Sequence, residues 1–95
     1  MHEMGIAGSV IDVVRRELPK HPGAHVRKVG LRLGEWAGVD VESLRFCLEV
    51  LIKGTDLEPL DVDIDFRPRA SDLDMTYLEL EESNGPGVHR EARPQ

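Results

Sequence analysis

The chain has very little cysteine, and it lacks the long apolar runs of membrane proteins and export signals. Cys47 is the single cysteine among 95 residues. An intramolecular disulfide is therefore impossible, and a zinc site built of cysteines alone would lack its thiolates. No apolar run approaches the length that crosses a bilayer, and no charged-then-apolar leader precedes the first periodic segment. These absences predict a soluble cytoplasmic protein without membrane contact.

The basic excess of a nucleic-acid-binding protein is also missing. Twelve Lys and Arg residues stand against 18 Asp and Glu residues, which gives a formal net charge of -6. Phosphate backbones repel such a chain. An acidic balance favours cationic partners, metal ions included, although acidity alone mostly reports solubility. We therefore expect no nucleic acid among the partners.

Catalytic signatures are absent as well. No serine, cysteine or paired-carboxylate arrangement comes with a recognisable base. The glycines of residues 34–38 lack the lysine and the spacing of a phosphate-binding loop. The length allows one small domain with one core. We predict that the protein is not an enzyme.

Two segments repeat apolar residues at helical spacing. Residues 4 to 18 predict a first helix, which the prolines and glycine of residues 19–23 end. Asp40 suits the N-cap of a second helix, and Gly54 supplies its C-terminal stop. The apolar stripe of this second helix, widened by Phe46 and Val50, consists of Val41, Leu44, Cys47, Leu48 and Leu51. Cys47 is most simply a small core residue.

Three segments alternate apolar and polar residues, as half-buried strands do. They run from His25 to Glu35, from Val62 to Phe66 and from Met75 to Glu82. If the first two strands lie side by side, Lys28 and Arg32 could face the row of aspartates on the second strand. Two solvated faces are an equally good interpretation of these charges.

The element order is helix, strand, helix, strand, strand. This order predicts an α+β fold in which two helices pack on one face of a three-stranded mixed sheet, with a right-handed crossover from the first strand to the second. We expect residues 1–82 to form a single domain and residues 83–95, rich in glycine, proline and charge, to be a disordered tail. Trp36 is expected to cover the edge of the core. A monomer is the default, and the exposed sheet edges leave a dimer open.

The amino terminus, Met1-His2-Glu3, is the candidate metal site. The α-amine, an ionised backbone amide and the His2 imidazole can close adjacent chelate rings, a planar nitrogen set that nickel(II) and copper(II) favour. We expect Met1 to be retained, because His2 is too large for methionine removal. Binding through amide nitrogens releases protons, so affinity should rise with pH. Taken alone, a histidine at position two is more often a solvated residue on a frayed end.

The sequence resembles the HypA/HybF family of nickel metallochaperones, which help to mature nickel-iron hydrogenases and sometimes urease. The resemblance rests on Met1-His2-Glu3-Met4, on the strand Val26 to Gly34, and on the run from Ala37 to Phe46 that continues to Glu49-Val50 and Gly54-Thr55. It implies that Met1, His2 and Glu3 form a nickel-binding amino terminus, in which His2 supplies the imidazole. Glu3 matches a position associated with site formation and partner contact.

The chain also differs from most members of this family between its last two strands. Members of this family usually carry a zinc domain of two Cys-x-x-Cys pairs between the last two strands, where this chain has only Arg67 to Asp74. Structural zinc is therefore not expected, and nickel(II) is the implied metal.

The implied function is nickel(II) delivery during maturation of a nickel enzyme, most simply a nickel-iron hydrogenase. The implied partners are a HypB-like maturation GTPase or the enzyme precursor. The alternative is a HypA-like interaction or scaffold module whose metal delivery has weakened or been lost. Either His21 or His25 could approach the amino terminus if their turn lies at the same end of the domain, although solvated histidines are the simpler expectation. His89, in the predicted tail, would carry an ordering cost as a fourth ligand.

Overall fold

A computed structural model describes residues 2–82 and 88–92. In chain order its elements are α1 (Glu3–Glu17), β1 (Ala24–Gly34), α2 (Val41–Ile52), β2 (Asp61–Arg67), β3 (Leu73–Glu82) and β4 (Val88–Ala92). Short 3-10 helices follow α1 at Leu18–Lys20 and β1 at Glu35–Ala37. In the described ranges, no helix has the length and apolar character needed to span a membrane.

The strands form one mixed sheet in the order β2-β1-β3-β4. β1 pairs with β2 in parallel, whereas β3 is antiparallel to both β1 and β4. A parallel pair requires a crossover connection, which α2 supplies. The α+β class, the two helices and the order of the five predicted elements are confirmed.

The prediction of three strands was wrong, because a fourth strand lies within the segment that was predicted to be a disordered tail. β4 pairs with β3 from Tyr77 to Glu81. The Arg90 guanidinium lies 3.9 Å from the centroid of the Tyr77 ring and 3.1 Å from Glu79 Oε1. These cross-strand contacts anchor a segment too polar to show strand alternation. Residues 83–87 and 93–95 of the predicted tail lie outside the described residues.

The core lies between the helices and one face of the sheet. The buried helical residues recur at intervals of three or four, as expected for amphipathic helices. They are Ala7, Val10 and Val14 on α1 and Leu44, Leu48 and Ile52 on α2. The strands contribute Val26, Val29, Leu31, Leu33, Leu78 and Leu80. Cys47 is half-buried against this core, as predicted.

Trp36, expected to cover the edge of the core, and Phe46, expected to widen the apolar stripe of α2, are largely exposed. Trp36 is 66% exposed, and its backbone N–H donates to the Ala70 carbonyl at 2.8 Å. The 3-10 helix is thus held through its backbone and does not need the indole. Phe46 is 64% exposed because it lies two residues from both Leu44 and Leu48, which turns it away from the buried stripe. Val50 is also exposed, so neither residue widens the core face of α2.

The face of the sheet without helices carries paired charges and one aromatic ring. Arg32 lies opposite Asp65 in the register of β1 and β2, and its Nε is 3.7 Å from Asp65 Oδ2, which is one of the two arrangements that the sequence left open. The Tyr77 hydroxyl donates to Asp63 across Gly30. A Cβ atom at Gly30 would lie 2.1 Å from Cε1 of Tyr77, so only glycine leaves room for this ring.

Candidate metal centre

His2 is the N-cap residue of α1, and only its backbone takes part in the cap. It has extended dihedral angles (φ -84°, ψ 112°), and its carbonyl accepts a hydrogen bond from the Ile6 N–H at 3.2 Å. The His2 side chain makes no capping hydrogen bond and is exposed. The imidazole is therefore accessible at the surface while its backbone belongs to an ordered helix. Met1 lies outside the described residues, so the structure describes His2 and Glu3 of the predicted set.

Glu3 ties the start of α1 to the start of α2. Its Oε2 accepts a hydrogen bond from the Asp40 N–H at 3.0 Å. Asp40 caps α2, since its Oδ1 accepts from the Ser43 N–H at 3.1 Å and its carbonyl accepts from the Leu44 N–H at 3.0 Å. The hydrogen bond from Asp40 is the largest of the causes that hold the pKa of Glu3 below its ordinary value of 4.5. The ionised form of Glu3 thus favours this link between the helices.

A shallow, open depression lies between the first turns of the two helices. It is lined by His2, Glu3, Met4, Glu42, Ser43, Phe46 and Cys47. The sequence did not predict that Cys47 and Phe46 would border the candidate site. Their spacing from the Asp40 cap places both residues on the first two turns of α2. The sequence pattern does not show that the start of α1 lies beside these turns.

Neither His21 nor His25 lines this depression. His21 follows the 3-10 helix after α1, and α1 itself, about 22 Å long for its 15 residues, lies between it and His2. His25 lines a different depression with Asp56 and Glu58. The side chain of His89 lies outside the described residues.

Side chains alone do not form a metal cage in the part of the chain that the structure describes. No group of three or more histidine, cysteine, aspartate or glutamate residues is placed there to hold an ion. A metal at His2 would thus need nitrogen ligands from the backbone and the terminal amine. The backbone amides of His2 and Glu3 lie at the start of α1, where the first N–H groups have no intrahelical acceptor.

Comparison with known proteins gives a consistent result. The family model described as "Hydrogenase/urease nickel incorporation, metallochaperone, hypA" matches residues 1–72. The hydrogenase maturation factor HypA of Desulfatibacillum aliphaticivorans is 35% identical over 80 residues, which cover 83% of this chain and 62% of that protein. The HypA protein of Methanopyrus kandleri is 42% identical over 65 residues, covering 68% of this chain and 46% of that protein.

Solved structures show the same fold. The solution structure of the Ni metallochaperone HypA from Helicobacter pylori superposes with a TM-score of 0.58 at 19% identity, and the match covers 100% of this chain and 72% of that one. The chain spans less than two thirds of the length of the two curated relatives above. Its zinc donors are also few, because a structural zinc site takes four ligands, usually cysteine and histidine, and only Cys47 is available as a thiolate.

Proposed function

Since the chain belongs to the HypA family of nickel-incorporation metallochaperones, we propose that it binds nickel(II) at its amino terminus and delivers the ion during maturation of a nickel enzyme. The recipient is most simply a nickel-iron hydrogenase. The protein carries the ion and catalyses no covalent reaction. Residues 1–82 serve as one nickel-binding domain.

The observation that carries this proposal is the hydrogen bond between Glu3 and Asp40 beside an exposed His2. A frayed terminus would lose entropy when it wraps around an ion. Here the residue after His2 is already fixed on α2 by its side chain, so less ordering remains for metal binding. The nitrogen donors are the amine of Met1, the amide and imidazole of His2, and the amide of Glu3, a planar set suited to nickel(II).

Release is expected to proceed by ligand exchange. The depression around His2 is open to solvent, so a recipient site can replace the nitrogen ligands one after another. Met4 and Phe46 border the same depression and are 46% and 64% exposed. Apolar side chains beside an ion site favour contact with the recipient or with a maturation GTPase during transfer.

The test is a nickel(II) titration of tag-free protein with an intact Met1, followed by calorimetry and visible absorption, with copper(II) as a competitor. We expect one equivalent to give the absorption of planar nickel, and we expect His2→Ala to abolish it without changing the thermal unfolding temperature. The matched control is His21→Ala, at the other end of α1, which should bind like the original protein. Nickel binding that survives His2→Ala would contradict the proposal.

The second candidate function is an interaction module without metal delivery, which the exposed Met4 and Phe46 favour. The same variants separate the two functions. In an interaction module, His2→Ala leaves partner binding and hydrogenase maturation unchanged. A metallochaperone loses maturation activity with His2→Ala, and added nickel salt restores part of it.

A further inference from the structure

We propose that this chain folds and holds its nickel-binding terminus without structural zinc, because the connection from β2 to β3 is a complete turn seated on the end of β1. The consequence for nickel rests on the proposed function, whereas the claim about folding does not. The resemblance to this family leads us to expect a zinc domain between the last two predicted strands. This chain differs from that expectation in two ways: it lacks the cysteine ligands, and its β2–β3 connection is a short turn.

Three hydrogen bonds join the β2–β3 connection to the end of β1 and to the 3-10 helix that follows. The Gly34 N–H donates to the Asp72 carbonyl at 2.8 Å, and the Trp36 N–H donates to the Ala70 carbonyl at 2.8 Å. In the opposite direction, the Arg69 N–H donates to Glu35 Oε1 at 2.9 Å. Backbone groups of the turn are thus satisfied by the domain itself, as buried or closely packed loops require.

The turn also lies in direct contact with the β1 backbone. A Cβ atom at Gly34 would be 2.3 Å from the Ala70 carbonyl oxygen and 2.7 Å from the Asp72 nitrogen. Arg69 adopts a left-handed conformation, with φ of 59°, which reverses the chain within this short connection. The β2–β3 connection is thus a short turn packed against β1, and β3 begins directly after it at Leu73.

The donor set and the comparisons point the same way. The only cysteine, Cys47, lies on α2 and packs against the core, away from this connection. Glu35, whose Oε1 accepts from the Arg69 N–H, and the nearby Asp72 and Asp74 offer only carboxylate oxygens, and hard oxygen ligands do not replace the thiolates of a structural zinc site. The family match ends at residue 72, within this same connection.

Zinc dependence can be measured directly, because the binding free energy of a structural zinc ion is part of the folding free energy of its domain. The full tag-free chain is dialysed with and without the chelator 1,10-phenanthroline, and zinc is quantified by mass spectrometry. Thermal unfolding is then followed with chelator, with buffer alone and with added zinc chloride. We expect no stoichiometric zinc and one unfolding temperature in all three conditions. Stoichiometric zinc whose removal lowers that temperature would overturn the proposal.

The seated turn is tested separately with two glycine variants. Gly34→Ala should lower the unfolding temperature, because its Cβ meets backbone atoms that cannot rotate away. Gly8→Ala is the matched control, since a Cβ there meets no atom within 4 Å beyond its chain neighbours and its own helix backbone, and it should not lower the temperature. If Gly34→Ala does not fold, Glu35→Ala removes one acceptor of the turn and should cause a smaller decrease. An unfolding temperature unchanged in Gly34→Ala and Glu35→Ala would remove the structural argument.

The two proposals fail in different ways. If the terminus does not bind nickel, the zinc content and the chelator experiment still report on folding. If the domain requires zinc, the chelator lowers its unfolding temperature whether or not nickel binds. Should both proposals hold, phenanthroline-treated protein, after removal of the chelator, binds nickel with the same stoichiometry and affinity as untreated protein.

Discussion

The absence of a Cβ atom at Gly30 determines the packing at this position. The Tyr77 ring occupies the place of a Cβ there, and its hydroxyl donates to Asp63 on the far strand. Tyr77 also lies under the Arg90 guanidinium, which connects β4 to the same ring. One glycine thus permits a contact that spans all four strands of the sheet.

Gly30→Ala is expected to lower the free energy of unfolding by about 1–3 kcal/mol, the usual cost of forcing extra volume into a packed site. Urea denaturation measures this change. The control is Gly8→Ala, which lies in α1 with open space around it and should gain stability by up to about 1 kcal/mol. In a Tyr77→Ala background, where the ring is gone, Gly30→Ala should cost much less. Equal costs in both backgrounds would argue against the steric explanation.

Glu3 gives the stability a dependence on pH. Its pKa is held below 4.5, first of all by the hydrogen bond from the Asp40 N–H, so the unfolded chain binds a proton more readily than the folded one. The contribution of Glu3 to stability is therefore complete above pH 4.5 and is lost as the pH falls through the lower pKa of the folded state. Glu3→Gln has no charge to lose. We expect it to unfold at a lower temperature than the original protein near neutral pH, with a gap that narrows below pH 4.5; a constant gap would contradict this assignment.

The residue scale was also the hardest to predict. His2 and Glu3 were identifiable as candidate ligands from their position, and the capping role of Asp40 followed from its residue type. The contact between Glu3 and Asp40 was not predictable, because 37 positions separate the two residues and no local pattern encodes the approach of two helix ends. The same limit applies to Cys47, whose place beside His2 depends on helix packing.

Among the elements, α2 shows most directly how sequence determines structure. Its N-cap is Asp40, whose side chain accepts from the Ser43 N–H at 3.1 Å. Its buried face recurs at Leu44, Leu48 and Ile52, the spacing of an amphipathic helix. After α2, Gly54 adopts a positive φ of 77°, a conformation that residues with a Cβ rarely take. The N-cap, the C-terminal stop and the buried positions Leu44 and Leu48 were therefore predictable from local chemistry, whereas Phe46 and Val50 were wrongly added to the buried face.

Asp40→Ala is expected to cost about 1 kcal/mol, the typical loss when a helix N-cap is removed. The Asp40 N–H remains in this variant, so the link to Glu3 is preserved and the measurement isolates the cap. Chemical denaturation monitored by circular dichroism gives the value. Asp40→Asn, which retains a side-chain acceptor, should lose much less. A similar loss in both variants would mean that the carboxylate charge, and not the hydrogen bond, stabilises α2.

At the scale of the whole molecule, the sequence predicted the two layers and the parallel pairing of β1 and β2, because alternation and helical spacing report burial directly. β4 escaped prediction, since its order comes from Tyr77 and Glu79 on a neighbouring strand and not from its own apolar content. The prediction for Trp36 failed for a different reason: the indole was expected to cover the edge of the core, whereas a backbone hydrogen bond to Ala70 holds this residue and leaves the indole exposed. Contacts across the fold, rather than local preference, account for each difference.

The Arg45 side chain lies at the edge of the sheet where another polypeptide could add as a strand. Its guanidinium donates to the Val62 carbonyl at 2.8 Å, and Val62 lies on β2, the outermost strand on one side of the sheet. Exposed outer strands are templates on which another polypeptide can add and begin a fibril. An arriving strand would have to displace Arg45 and approach the negative charges of Asp61, Asp63 and Asp65. Arg45, which joins α2 to β2, therefore occupies a backbone acceptor of the outer strand that would otherwise be open to an added chain.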